Sequence, residues 1–178
     1  LKNLAKAKDC DVSDLLIVTL ERQRHEEMIA KIRECGARIQ LIGDGDVAGI
    51  IAATRPESGV DMYMGIGGAP EGVLAAAALK CVGGQMQSRL FFQGDKVEAE
   101  QIERAKSMGI EDINKIYTLN EMAKGDVMFS ATGVTSGWML KGVRRAGQGA
   151  LTHSMVMRSR TGTVRFVEAE HNFDRKIL

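Results

Sequence analysis

The sequence predicts an α/β layered fold with a mostly parallel or mixed sheet and a hairpin near its C-terminal end. Three observations carry this. Short apolar runs of β character alternate with helix-period segments through the first two-thirds of the chain. The connections between those runs have the length of parallel crossovers. The last part of the chain switches to two β-like runs around a polar turn.

Leu15 to Leu20, reading LLIVTL, is a continuous apolar run of the kind found in strands buried on both faces. Gln23 to Cys35 has helical spacing, with Met28, Ile29 and Ile32 on one stripe and Gly36 as its stop. Arg38 to Ile42 is a second strand, and Asp46 to Thr54 a helix that ends before Pro56. Val60 to Met64 is a third strand. Pro70 to Val82 is an Ala-rich helix stopped by Gly83 and Gly84. Gln85 to Phe92 reads as a strand, Val97 to Met108 as a helix capped by Gly109, and Thr118 to Ala123 as a short helix. Val127 to Ala131 is a further apolar strand. Ala150 to Arg158 and Thr163 to Ala169 form a hairpin turning at Ser159 to Gly162.

The chain of 178 residues suits one domain, residues 1–178, with a genuine core. Its net charge of +1 gives no global field for nucleic acid or an anionic membrane, and aromatics at 4% weaken any base-stacking reading. No apolar run has the length of a membrane span. Cys10, Cys35 and Cys81 are odd in number and lack CxxC or zinc spacing, so reduced thiols and a cytoplasmic location are expected. With Leu1 in place of Met, a fragment or a trimmed chain is expected.

Ligands of α/β sheets gather at the carboxyl ends of the strands, and three segments fall there. Arg22, Gln23 and Arg24 follow the first strand at a helix start, a place for a phosphate clamp or for a solvated helix surface. Asp44, Gly45 and Asp46 follow the second. Their carboxylates suit sugar hydroxyls or a cation, and equally suit capping of the next helix. Gly65 to Gly72, reading GIGGAPEG, follows the third. It allows close backbone approach at Gly68 and places Glu71 in a first helical turn, where the helix dipole alone favours an acid. It lacks the order of a dinucleotide fingerprint and the Gly-Lys-Ser/Thr of a Walker motif, so a dinucleotide oxidoreductase is disfavoured. Basic, acidic and glycine-rich loops on one rim suit a phosphorylated sugar. His25, His153 and His171 show no ligand spacing. Gly133 to Gly137 reads as a simple turn, and Arg144, Arg145, Arg158, Arg160 and Arg165 as solvated charges.

These stretches together resemble the second half of class II fructose-1,6-bisphosphatases. The resemblance rests on the Arg-His-ending basic triplet, Asp44-Gly45-Asp46-Val47 and Gly67-Gly68-Ala69-Pro70-Glu71-Gly72, with Ser130 to Thr135 and Gly162 to Val167 in the same order. It implies the layered sandwich of metal-dependent sugar and inositol phosphatases. It also implies hydrolysis of the 1-phosphate of fructose 1,6-bisphosphate, with sedoheptulose 1,7-bisphosphate as a further substrate. It assigns Arg22, Gln23, Arg24, Asp44, Gly45, Asp46 and Gly68 to the substrate and Glu71 to a divalent metal, Mn²⁺ or Mg²⁺. A homo-oligomer is implied for the full-length enzyme, with neither nucleic acid nor membrane as a partner. Gln23 stands where many members have Pro. The acidic metal segment of the family's first half has no counterpart here, so the chain alone is expected to be catalytically silent and no residue of it is assigned to the chemical step. The alternative is a non-catalytic sugar-phosphate-binding or assembly module.

Overall fold

A computed structural model describes residues 1–92 and 95–175. Strand β1 (Leu16–Leu20) carries the run read as doubly buried, and it lies at the centre of a three-stranded sheet. It pairs in parallel with β2 (Arg38–Ile42) on one edge and with β3 (Met62–Tyr63) on the other, in the register Ile17 to Ile39 and Ile17 to Met62. Alternation along the strand sends side chains to two different cores. Leu15 and Ile17 pack with Ile32 and Ala37 beneath α1 (Lys2–Lys8) and α2 (Glu26–Glu34). Val18 packs on the opposite face with Ala52 of α3 (Asp46–Ala52) and with Val60. Leu15, Ile17, Val18 and Thr19 are all fully inaccessible to solvent.

Helix α4 (Ala69–Val82) packs beside α3, and the pair forms a middle layer. Its far side meets a second sheet of β6 (Met128–Thr132), β7 (Arg144–Ala146), β8 (Gly149–Arg158) and β9 (Thr163–Asn172). The core between them holds Ile51, Ala78, Cys81, Phe129, Met155 and Met157. The layers therefore run helices, parallel sheet, helices, antiparallel sheet. The expected preponderance of parallel pairing is confined to the first sheet, because β6 to β9 pair only antiparallel. The physical reason is connection length: β8 and β9 are joined by a four-residue turn, too short for any parallel crossover.

Several sequence expectations hold with shifts of a residue or two. Gly36, Gly83 and Gly109 take the left-handed conformation just past α2, α4 and α5 (Asp95–Ser107). The strand expected over residues 85–92 shrinks to β4 (Gln87–Ser88), which pairs with β5 (Tyr117–Thr118). The short helix α6 (Leu119–Met122) starts in a capping box between Thr118 and Glu121. Strand β7 was not expected: its Arg144 and Arg145 are exposed, so it has no apolar signature, and it exists by pairing with β8. Cys10, Cys35 and Cys81 are all unpaired. No helix among the described residues is long and apolar enough to cross a membrane.

The amino end of β1 is fastened by Asp61. One oxygen accepts the Leu16 N–H at 2.7 Å and the other accepts from Lys8 of α1. Burial alone would push this carboxyl up, but the Lys8 hydrogen bond, the Leu16 N–H and the charges of Lys8 and Arg38 together hold it below its ordinary value. A lowered folded value means the stabilisation is present above the unfolded carboxylate range and is lost as pH falls through the folded value. Asp61→Ala is therefore expected to lower unfolding free energy by about 1–3 kcal/mol at neutral pH. Urea titrations should show the gap between variant and parent closing as the medium is acidified below pH ~4.

Candidate functional site

Because β1, β2 and β3 are parallel, their carboxyl ends share one edge of the sheet, and the three loops expected to carry chemistry all leave from it. The connection after β1 leads to a helix on one face, and those after β2 and β3 lead to helices on the other. In α/β sheets such a change of face between successive connections is where ligands bind.

The first loop continues β1 pairing through Glu21, whose N–H donates to Ile42 O at 2.9 Å. Arg22 then adopts an extended conformation before the 3₁₀ turn Gln23–His25. Its guanidinium donates to Glu21 O at 2.9 Å and to Gly43 O at 2.5 Å, tying the first loop to the second. Arg24 turns the other way and donates through Nε to Ile66 O at 2.7 Å, tying the first loop to the third. A guanidinium has five N–H donors, so both arginines keep donors for a ligand after these bonds. Gln23 is exposed between them.

In the second loop, Gly45 is left-handed at φ 77°, a conformation costly for residues bearing a Cβ, and it starts α3. Asp46 Oδ1 accepts the Val47 N–H at 2.9 Å, so this carboxylate does serve the helix start. Its other oxygen faces Gly67, where an added Cβ would lie 3.7 Å away. Asp46, the first residue of α3, thus holds a first-turn amide with one oxygen and approaches the third loop with the other. Asp44 is exposed and forms no hydrogen bond or ion pair with the described residues.

In the third loop, Gly68 stands just before α4, whose first turn holds Pro70 and Glu71. The Glu71 carboxylate folds back over Gly68 so closely that a Cβ at residue 68 would collide with Oε2. Glycine at 68 is thereby linked to the direction of Glu71. Glu71 is exposed, as Asp44 is on the neighbouring loop, but no group of three or more His, Cys, Asp or Glu side chains able to hold a metal occurs among the described residues. One carboxylate falls short of a ligand set unless phosphate and further ligands join it.

Two residues of this edge were missed in the sequence. His25 is fully buried, with Nδ1 2.8 Å from Leu20 O and Nε2 2.8 Å from Ile66 N. Nothing about a lone His in a charged run signals burial. Tyr63, at the end of β3, is half-buried between Gly49 of α3 and Gly65. A Cβ would come within 3.2 Å of its ring at residue 49 and within 2.8 Å of its hydroxyl at residue 65. An aromatic two positions before a glycine-rich loop, in a chain poor in aromatics, is the signal that could have found it. Burial first, then the Asp46 carboxylate, pushes the Tyr63 hydroxyl up to about 12, with Arg24 pulling the other way.

The Gly133 to Gly137 stretch stays with the second sheet, folding back through Val143 N–H to Val134 O at 3.1 Å. The larger cleft, about 430 Å³, also lies elsewhere, lined by Arg55, Trp138 and Phe166. A smaller one of about 350 Å³ borders the first loop at Arg22 and Gln23.

The charges around Tyr63 give a direct check. With Tyr117→Phe as background, Tyr63 is the sole tyrosine. Ultraviolet titration is expected to show it ionising well above a free tyrosine. Asp46→Asn should lower that midpoint and Arg24→Ala should raise it; no movement in either variant would separate Tyr63 from both.

The chain is 43% identical to the D-fructose 1,6-bisphosphatase class 2/sedoheptulose 1,7-bisphosphatase of Synechococcus sp. (strain JA-2-3B'a(2-13)), over 98% of this chain and 53% of that protein. It is 40% identical, over the same shares, to the protein named D-fructose 1,6-bisphosphatase class 2/sedoheptulose 1,7-bisphosphatase 2 of Acaryochloris marina (strain MBIC 11017). The enzyme of the same class from Synechococcus elongatus (strain ATCC 33912 / PCC 7942 / FACHB-805) is likewise 40% identical over those shares. The chain spans about half the length of these relatives. A sequence profile described as bacterial fructose-1,6-bisphosphatase, glpX-encoded, matches residues 1–171, and with that match across nearly its whole length the chain belongs to that family.

Proposed function

We propose that this chain is the sugar-phosphate-binding portion of a fructose 1,6-bisphosphatase that releases the 1-phosphate to leave fructose 6-phosphate. The observation that carries this is the bonding of the first strand-end loop to the other two, Arg22 to Gly43 and Arg24 to Ile66, with an Asp46 oxygen facing Gly67. Such bonding holds the basic segment against the acidic and the glycine-rich segments, which lowers the ordering cost of binding. The free donors of Arg22 and Arg24, with Gln23 between them, suit phosphate oxygens. Asp44 and Asp46, about Gly45, suit sugar hydroxyls as acceptors. Gly68 admits the ligand close to the backbone, and Glu71 is the carboxylate we assign to Mn²⁺ or Mg²⁺. Sedoheptulose 1,7-bisphosphate presents the same groups and is the natural competitor.

In this reading the chain's residues bind and orient. A sugar held by two arginines and two carboxylates keeps its phosphorus in one position, an orientation effect on the rate. The layered architecture is that of the metal-dependent sugar and inositol phosphatases. Val73 and Leu74 of α4, one turn from Glu71, are exposed apolar residues on a helix that is apolar almost all round. That surface fits a further layer contributing the remaining cation ligands. A cytoplasmic, homo-oligomeric full-length enzyme completes the proposal. The second reading, a non-catalytic sugar-phosphate-binding module, is favoured by one observation, the absence of a three-ligand cluster among the described residues.

Two measurements test the proposal. Calorimetric titration of the 178-residue chain with fructose 1,6-bisphosphate should give saturable binding, weakened at least about tenfold by Arg24→Ala through loss of a charge-assisted contact; equal affinity in the variant would contradict it. In a protein spanning the family's full length, Glu71→Gln should lower phosphate release most strongly at limiting Mn²⁺. Unchanged release there would remove Glu71 from the cation, and no release by the parent would favour the binding-module reading.

A further inference from the structure

We infer that His25 is a positioning residue for the sugar-phosphate site, holding the Ile66 peptide so that Arg24 and the Gly67–Gly68 segment keep a fixed relation. This deepens the proposed function and rests on it for its ligand.

The imidazole is fully buried directly beneath the loops, and its neighbours define its chemistry. Leu20 O lies 2.8 Å from Nδ1, and a carbonyl can only accept, so Nδ1 carries the proton. Ile66 N lies 2.8 Å from Nε2, and a peptide N–H can only donate, so Nε2 is bare. The opposite tautomer would set a lone pair against Leu20 O and leave the Ile66 N–H without its acceptor. Nε2 is also 3.1 Å from Ile66 O, but a bare nitrogen has no proton to give that oxygen. Arg24 Nε gives it instead, at 2.7 Å.

The two polar atoms of residue 66 are therefore gripped by consecutive residues of the first loop: its N–H by His25 and its C=O by Arg24. The grip acts in both directions. It sets where the third loop stands, and so the approach of Gly67 to Asp46 and the start of α4 at Gly68. It also fixes one edge of the Arg24 guanidinium, which directs the remaining edge outward. The His25 ring is anchored in turn to the carboxyl end of the most buried strand, through Leu20 O, with Thr19 Oγ1 3.5 Å from the same nitrogen. His25 touches no ligand itself; it transmits the rigidity of β1 to the two loops that do.

The test uses the 178-residue chain, its His25→Gln variant and its His25→Leu variant. Gln places an amide oxygen near the Nε2 position, whereas Leu offers no acceptor and leaves the Ile66 N–H unsatisfied. Amide exchange at Ile66 and calorimetric affinity for fructose 1,6-bisphosphate are measured for all three. His25→Leu should speed Ile66 exchange and weaken binding by about tenfold each, and His25→Gln should restore both to within about threefold of the parent. Parent-like exchange and affinity in His25→Leu would overturn the proposal, as would a His25→Gln variant no better than His25→Leu. If the Leu variant fails to fold, ¹⁵N shifts of the parent imidazole decide: a protonated Nδ1 with a bare Nε2 supports the grip, and the reverse overturns it. A parent that binds no sugar bisphosphate would defeat the functional reading alone, since Ile66 exchange and the imidazole shifts still report on the grip.

Discussion

Strand β1 is hydrogen-bonded along both edges and packed on both faces, and every feature of the candidate site depends on that confinement. A parallel strand held on four sides cannot slip by one residue without sending its entire apolar set to the wrong core. Leu15 and Ile17 answer to the α1 and α2 side, Val18 to the α3 side. The register of β2 and β3 follows from pairing with it, and so does the common level at which three loops emerge. Asp61 secures one end of the strand, and the bonds about His25 secure the other.

The charged residues at the carboxyl edge are held by backbone rather than by one another. Arg22 and Arg24 direct part of their donor capacity to carbonyls of neighbouring loops, and Asp46 takes a free amide of α3. A charge anchored to a carbonyl keeps its position without being neutralised, which leaves the rim polar and unsatisfied toward solvent. Two glycines accommodate this crowding in distinct ways. Gly45 supplies the left-handed turn into α3, and Gly68 vacates the space over which Glu71 folds. The exposed ion pairs elsewhere, such as Lys31 with Glu27 and Lys141 with Glu168, lie in solvent and contribute little.

How much of this was legible in the sequence depends on the range of the interaction. The LLIVTL run, the Gly36 and Gly83 stops and the four-residue hairpin turn are local and were readable. So was the placement of Arg22, Asp44 and Glu71 at strand ends, because a strand's direction tells which loops follow its carboxyl end. The antiparallel second sheet was half legible: its hairpin shows, but β7 has no apolar pattern and appears only through pairing with β8. His25 was illegible, and Tyr63 nearly so, for one reason. Each is defined by partners more than forty positions distant or on other elements, Ile66 for the histidine and Asp46 with Gly49 for the tyrosine. No spacing rule along the chain can reveal a contact made across it.

The central claim is that three loops form one binding surface. It is tested most directly by amide shift mapping of the ¹⁵N-labelled chain during titration with fructose 1,6-bisphosphate. Arg24, Asp46, Ile66 and Gly68 are expected to respond together along a single saturation curve. Responses confined to the cleft at Arg55, Trp138 and Phe166, or separate curves for the three loops, would contradict it.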